Sequence, residues 1–232
     1  MHVGVDGAGG DWLAGVHEAG EYSYSLFGSF GELWEELRTA EVILVDIPIG
    51  LRNDGEPRAC DTEARRHVRR GVVFPTPSRP AAYEDDYGSA KAINERTTGG
   101  KSLPRQTWNI CPLIREVDEF LANTAEARGT VRESHPELCL RYLNNGETVT
   151  TRKTTDEGYT NRVGVLTEHE PRAGELLSEA SDAFRDEPAV GRDDLVDALA
   201  LALTARYPTE TVPDDPPKDE RGLRMEMVYP RI

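Results

Sequence analysis

Five carboxylates stand at positions where chemistry could be done. Asp6 follows the apolar stretch Val3-Gly4-Val5, Asp46 ends Val42-Ile43-Leu44-Val45, and Glu133 ends Thr130-Val131-Arg132. A carboxylate that closes a buried apolar strand is costly unless it is solvated, paired or bound to a cation. The other two lie in Asp193-Asp194-Leu195-Val196-Asp197-Ala198-Leu199-Ala200. Asp194 and Asp197 are three apart, so on a helix they share one face about a turn from each other. Open α/β sheets place their sites outside the carboxyl ends of the strands, where these groups can converge. Hard divalent cations take oxygen ligands, and Mg²⁺ prefers a few carboxylates together with water. Two such ions about 4 Å apart would activate a water and stabilise the leaving oxygen in phosphodiester cleavage.

Four of these residues also have a structural use. Asp6 can shape the Gly7-Ala8-Gly9-Gly10 turn, Asp46 can cap the turn at Ile47-Pro48, and Glu133 can pair with an arginine. Asp193 or Asp194 can serve as the helix N-cap, whereas Asp197 lies too far inside to do so. Positive charge gathers in one place, at Arg58, Arg65, Arg66, Arg69 and Arg70, with Arg79 beyond. Guanidinium forks suit phosphate oxygens, which makes Arg65, Arg66, Arg69, Arg70 and Arg79 candidate substrate contacts. The same run also reads as a solvated helix face paired with neighbouring acids. His135 suits a packing role or a proton relay better than metal ligation. Trp108, between Gln106 and Asn109, is either core or a stacking platform. Cys60, Cys111 and Cys139 are far apart and form no CxxC pair, which points to ordinary reduced thiols.

The elements that must hold these groups can be read from periodicity. Residues 2–7, 12–17 and 22–27 alternate as three short strands of an antiparallel meander. Ser29 with Glu32 forms a capping box that opens a helix through Leu33, Leu37 and Arg38. Residues 41–47 form the clearest strand, stopped by Pro48. Helices are expected at 61–70, 83–96 and 112–127, a strand at 130–134, and helical character around Val163, Val165 and Leu166. A strong final helix covers 193–206. Residues 208–232 are rich in proline and charge, and read as an extended arm without its own core.

At 232 residues the chain suits one domain, 1–207 with a helical insertion around 58–127, followed by the arm. No apolar run is long enough to span a membrane and residues 1–10 lack a signal-peptide pattern, so a soluble, cytoplasmic protein is expected. The net charge is -15, and lysine occurs only at Lys91, Lys101, Lys153 and Lys218. A surface this acidic is a solvation strategy for a salt-rich cytoplasm, and it opposes casual binding to nucleic acid.

Six segments taken in order resemble the DUF429 family, predicted nucleases with a ribonuclease H-like fold. They are Gly4-Val5-Asp6-Gly7, Val45-Asp46-Ile47-Pro48-Ile49-Gly50-Leu51, Arg58-Ala59-Cys60-Asp61, Glu133-Ser134-His135-Pro136-Glu137, Asp193 to Ala200, and Gly222-Leu223-Arg224-Met225-Glu226. The final helix is also similar to that of RuvC-type resolvases, in which an Asp-x-x-Asp-Ala pattern supplies metal ligands. The resemblance implies a mixed α/β sheet, an antiparallel meander plus parallel strands, flanked by helices. It further implies Asp6, Asp46, Asp194 and Asp197 as ligands of Mg²⁺ or Mn²⁺, with Glu133 as a fifth catalytic candidate and nucleic acid, DNA or RNA, as the partner. The rival is a non-catalytic interaction or nucleic-acid-binding module that keeps the fold. Actin-like phosphotransferases also begin with an Asp-Gly turn, but they need a duplicated domain for which this chain has no repeat. The arm is a candidate homodimer contact.

Overall fold

Small residues set the centre of the fold. In the computed structural model, which describes residues 1–54 and 56–232, β1 (His2–Ala8), β2 (Asp11–Glu18) and β3 (Glu21–Phe27) form an antiparallel meander. Gly9 and Gly10 make the first reversal with positive φ, a conformation that glycine adopts without steric cost. Helix α1 (Phe30–Leu37) starts at Ser29, whose hydroxyl accepts the Glu32 N–H. It leads to β4 (Val42–Val45), which pairs in parallel with β1. The chain then leaves the sheet through α2 (Ala59–His67), α3 (Arg79–Ala82), α4 (Tyr87–Thr97), α5 (Arg105–Asn109) and α6 (Cys111–Asn123). It returns as β5 (Val131–Glu133), parallel to β4. Helices α7 (Pro136–Leu143), α8 (Asp156–His169), α9 (Ala173–Ala183) and α10 (Arg192–Thr204) follow. The last strands, β6 (Thr209–Val212) and β7 (Met227–Pro230), pair antiparallel in a sheet of their own.

The main sheet has the order β3-β2-β1-β4-β5. An antiparallel meander continued by parallel strands, with helices on both faces, is the ribonuclease H-like mixed α/β arrangement that the sequence implies. On one face Val3, Val5, Ile43 and Val45 pack against Phe30 and Leu33 of α1 and Ile114 and Val117 of α6. On the other face α10 lies directly on β1. Gly4 makes this possible, because a Cβ there would overlap the backbone of Ala198 and Ala202. From Leu195 to Thr204 every residue of α10 is buried, as expected of a helix apolar on all sides, and residues of α7, α8 and α9 join its cluster.

The course of the chain differs from the sequence expectation in several places. Residues 208–232 are not a coreless arm: Val212, Met225, Met227 and Tyr229 pack against Cys60, Ala64 and Leu138, and Val228 bridges to Ser134 at the end of β5. Proline and charge before residue 222 masked the apolar alternation that follows. The helix expected from 83 begins only at Tyr87, where Asp86 accepts the Ser89 N–H, and the helix from 112 ends at Asn123. Helices α3, α5, α7 and α9 were not anticipated. Among the described residues no helix is long and apolar enough to cross a membrane.

Candidate metal centre

Strand register decides which acids meet. Val5 pairs with Val45, and Val45 pairs with Glu133. One residue further along, the Asp46 N–H donates to the Val5 carbonyl at 2.9 Å and the Ser134 N–H to the Val45 carbonyl at 3.0 Å. Residues at one level in parallel strands face the same side, and successive residues alternate. Asp6 and Asp46 therefore face α10, on the same side as Gly4. Glu133, level with Val5 and Val45, faces the opposite side. The pairing of β1 with β4 ends at Val5 and Val45, which leaves the Asp6 and Asp46 carboxyls at the carboxyl edge of the parallel strands, where α10 presents Asp197.

Asp6, Asp46 and Asp197 each offer one carboxylate oxygen, and these three oxygens lie within 4.8 Å of one another. Asp6 is 8 % exposed and Asp197 2 %. The Gly7 N–H donates to Asp6 Oδ1 at 2.8 Å. Lys153 Nζ donates to Asp197 Oδ2 at 2.7 Å and lies 3.4 Å from Asp193 Oδ2. Asp197 Oδ1 is buried and has no hydrogen-bond partner. Burial, reinforced by Asp46 and Asp197, pushes the Asp6 carboxyl well above the usual carboxylate range. Burial likewise lifts Asp197 to about 6, against the pull of Lys153. The Lys153 ammonium is disfavoured by burial, yet Asp197 and Asp6 hold it protonated beyond its ordinary range. Three carboxylates share one ammonium contact, and one buried oxygen is unsatisfied. An oxygen-only donor set of this kind fits Mg²⁺ or Mn²⁺.

The remaining predicted residues stand outside the trio, although Glu133, His135 and Arg69 line the same cavity. Glu133 takes a two-pronged ion pair from Arg58 at 2.7 Å and accepts the Ile49 N–H at 2.7 Å, while Arg58 also binds Asp61. Burial pushes Glu133 up to about 7 despite Arg58. Asp61, Cys60 and Glu133 form a second cluster of potential ligand atoms, but the Arg58 guanidinium already supplies its cation. Asp194, in the first turn of α10, accepts the N–H of the N-cap residue Gly191 at 2.8 Å, and it stands outside the trio. Arg79 is buried between Asp118 and Asp219, so it serves the core and the tail rather than a ligand. Arg65 donates to the carbonyls of Val73 and Phe74. Arg66 and Arg70 are exposed, whereas Arg69 is half-buried with its Nε unpartnered. His135 caps α7, its Nδ1 accepting the Glu137 N–H, and Trp108 packs against the core and Tyr87.

The three carboxylates lie in a cavity of about 450 Å³, which is also lined by Lys153, Arg69, Phe74, Gln106 and Leu113. Sequence reasoning missed Lys153. Its one signal is scarcity: it is among only four lysines, set in the polar loop before α8. The cavity and the trio sit where open α/β sheets place their sites, outside the strand carboxyl ends. No curated protein and no solved structure matches the chain. The model of a family described as proteins of unknown function, DUF429, matches residues 4–218, and the chain therefore belongs to the DUF429 family.

Proposed function

We propose that the protein is a metal-dependent nuclease that hydrolyses nucleic-acid phosphodiester bonds, with Mg²⁺ or Mn²⁺ held by Asp6, Asp46 and Asp197. The observation that carries this reading is the unsatisfied Asp197 Oδ1, buried beside two further carboxylates at the cavity floor. A divalent cation bound there would supply Lewis-acid stabilisation and an activated water. The chain's own residues prepare the geometry. The Gly7 N–H fixes one oxygen of Asp6, Lys153 fixes one oxygen of Asp197, and in each carboxylate the other oxygen is left for the cation. Lys153 also offsets the negative charge that would otherwise repel a phosphate.

The test is Mn²⁺-dependent cleavage of single-stranded, double-stranded and branched substrates by the wild type, Asp6→Asn and Asp197→Asn. Each substitution keeps the shape and removes a ligand charge, so cleavage should fall by orders of magnitude while the fold survives. Wild-type inactivity on every substrate, or full activity in both variants, would sink the proposal. The rival reading, a binding module without turnover, has Lys153 on its side, because an internal ammonium already neutralises part of the cluster. On that reading EDTA leaves nucleic-acid binding intact and no substrate is cut.

A further inference from the structure

We propose that the cavity above the three carboxylates takes one unstacked nucleotide, so that the substrate is a single strand, a flap or a frayed end rather than an intact duplex. This deepens the nuclease reading and rests on it. Asp6 and Asp197 are buried, so a phosphate reaches them only by entering the cavity. The phosphates of a duplex lie on the outside of a stiff rod, which cannot follow so small a cavity down to buried carboxylates. A volume of about 450 Å³ lies within the range of roughly 300–1,000 Å³ typical of pockets that enclose a small ligand, and it is far too small for a double helix.

The walls suit a base and its phosphate. Val72, Val73 and Phe74 line one stretch, with Ile110 and Leu113 also contributing. Phe74 is 40 % exposed, and the other large hydrophobic exposed among the described residues is Ile232, near the chain end. An exposed aromatic at the rim of a polar-floored cavity is a stacking platform for a base of any identity. Arg65 fixes this wall by donating to the Val73 and Phe74 carbonyls at 3.1 and 2.9 Å, so the platform is preformed. Arg69 lines the same cavity with a buried, unpartnered Nε, a donor suited to a phosphate oxygen. Net charge adds weight. A duplex track requires many phosphates to be neutralised, which a chain of charge -15 opposes, while one enclosed nucleotide needs only a few local donors.

The experiment measures anisotropy of a short labelled single strand and of the blunt duplex of the same sequence, with Ca²⁺ in place of Mg²⁺ to suppress turnover. The wild type should bind the single strand at least about tenfold more tightly. Phe74→Ala should lose roughly tenfold or more of that affinity. Arg69→Gln should weaken binding and reduce its salt slope by about one. Melting curves confirm that both variants fold. Equal or tighter duplex binding, or unchanged binding by folded Phe74→Ala, overturns the proposal. The two readings fail separately: Phe74-dependent single-strand binding without cleavage sinks the nuclease but keeps the pocket. Duplex cleavage without single-strand preference does the reverse.

Discussion

Asp197 carries opposing demands at one atom pair: burial penalises its charge, and Lys153 favours it. Burial wins, since the group titrates at about 6 in the folded metal-free protein, against an ordinary 3.8. A folded-state value raised above the unfolded one means that the native state holds its proton more tightly. Ionisation then destabilises the fold: stability is greatest below about 4, declines as pH rises through 4 to 6, and stays reduced above that. A shift of about two units corresponds to roughly 3 kcal/mol, from which the Asn variant loses part because its bond from Lys153 weakens. In EDTA at pH 7.5, Asp197→Asn should therefore be more stable than the wild type by about 1–2 kcal/mol, and the gap should close near pH 4. Urea unfolding at both values checks this, and a less stable variant at pH 7.5 would contradict it. The three acids were legible in the sequence because each ends or interrupts an apolar run. Glu133, set apart as a fifth candidate, could not be placed from sequence, since which side of the sheet it faces depends on the pairing of Val45 with Glu133, and register is not written in a single strand. Lys153 lies 44 residues from Asp197 in sequence, with no local pattern linking the two.

The elements place these residues through one close approach, that of α10 on β1. Gly4 has backbone atoms of Ala198 and Ala202 where a Cβ would stand, and backbone cannot rotate aside. Gly4→Ala should thus cost about 3 kcal/mol or more, the upper end for overpacking, and should also shift Asp6 against Asp197 and weaken Mn²⁺ binding by the fraction that still folds. Gly164→Ala is the contrast. Gly164 lies inside α8 with nothing near its absent Cβ, so alanine there should add about 0.5–1 kcal/mol through helix propensity alone. Denaturant midpoints of the two variants give the comparison, and equal effects would show that the α10 contact is not tight. Long periodic elements were readable: the meander, β4 and α10 fall within a residue or two of expectation. Helix α7 was not, because Pro136 opens it and Leu138, Cys139, Leu140 and Leu143 are buried on several sides, leaving no polar stripe to reveal a period. The tail was misread for the opposite reason. Its polar first half hides Asp219, which accepts the Leu51 and Leu223 N–H groups and binds Arg79, so the chain end is tied into the core by a residue that looks like solvated surface.

Across the whole molecule the buried charges are few and mostly paired, and most of the acidic excess lies on the surface. Arg58, Arg79 and Arg162 are buried in ion pairs with Asp61, Glu133, Asp118, Asp219 and Glu137. These three positive charges do little to offset the exposed carboxylates of a chain whose net charge is -15. The total was legible from composition, but the placement of the buried pairs was not, because it needs the tertiary pairing of residues up to 140 positions apart. Buried pairs are poorly screened by salt, whereas repulsion between exposed like charges is cut off when the Debye length shrinks from about 30 Å at 0.01 M to about 3 Å at 1 M. Salt therefore acts almost wholly on the destabilising side. Raising KCl from 0.01 to 1 M should increase the melting temperature by several degrees, since for a chain of this size each kcal/mol is worth about 2–4 °C. Potassium chloride is the right probe because sulfate would strengthen apolar burial in any protein and blur the origin of the effect. A melting temperature that stays flat or falls over that range would mean that the exposed acids are already locally balanced by neighbouring cations.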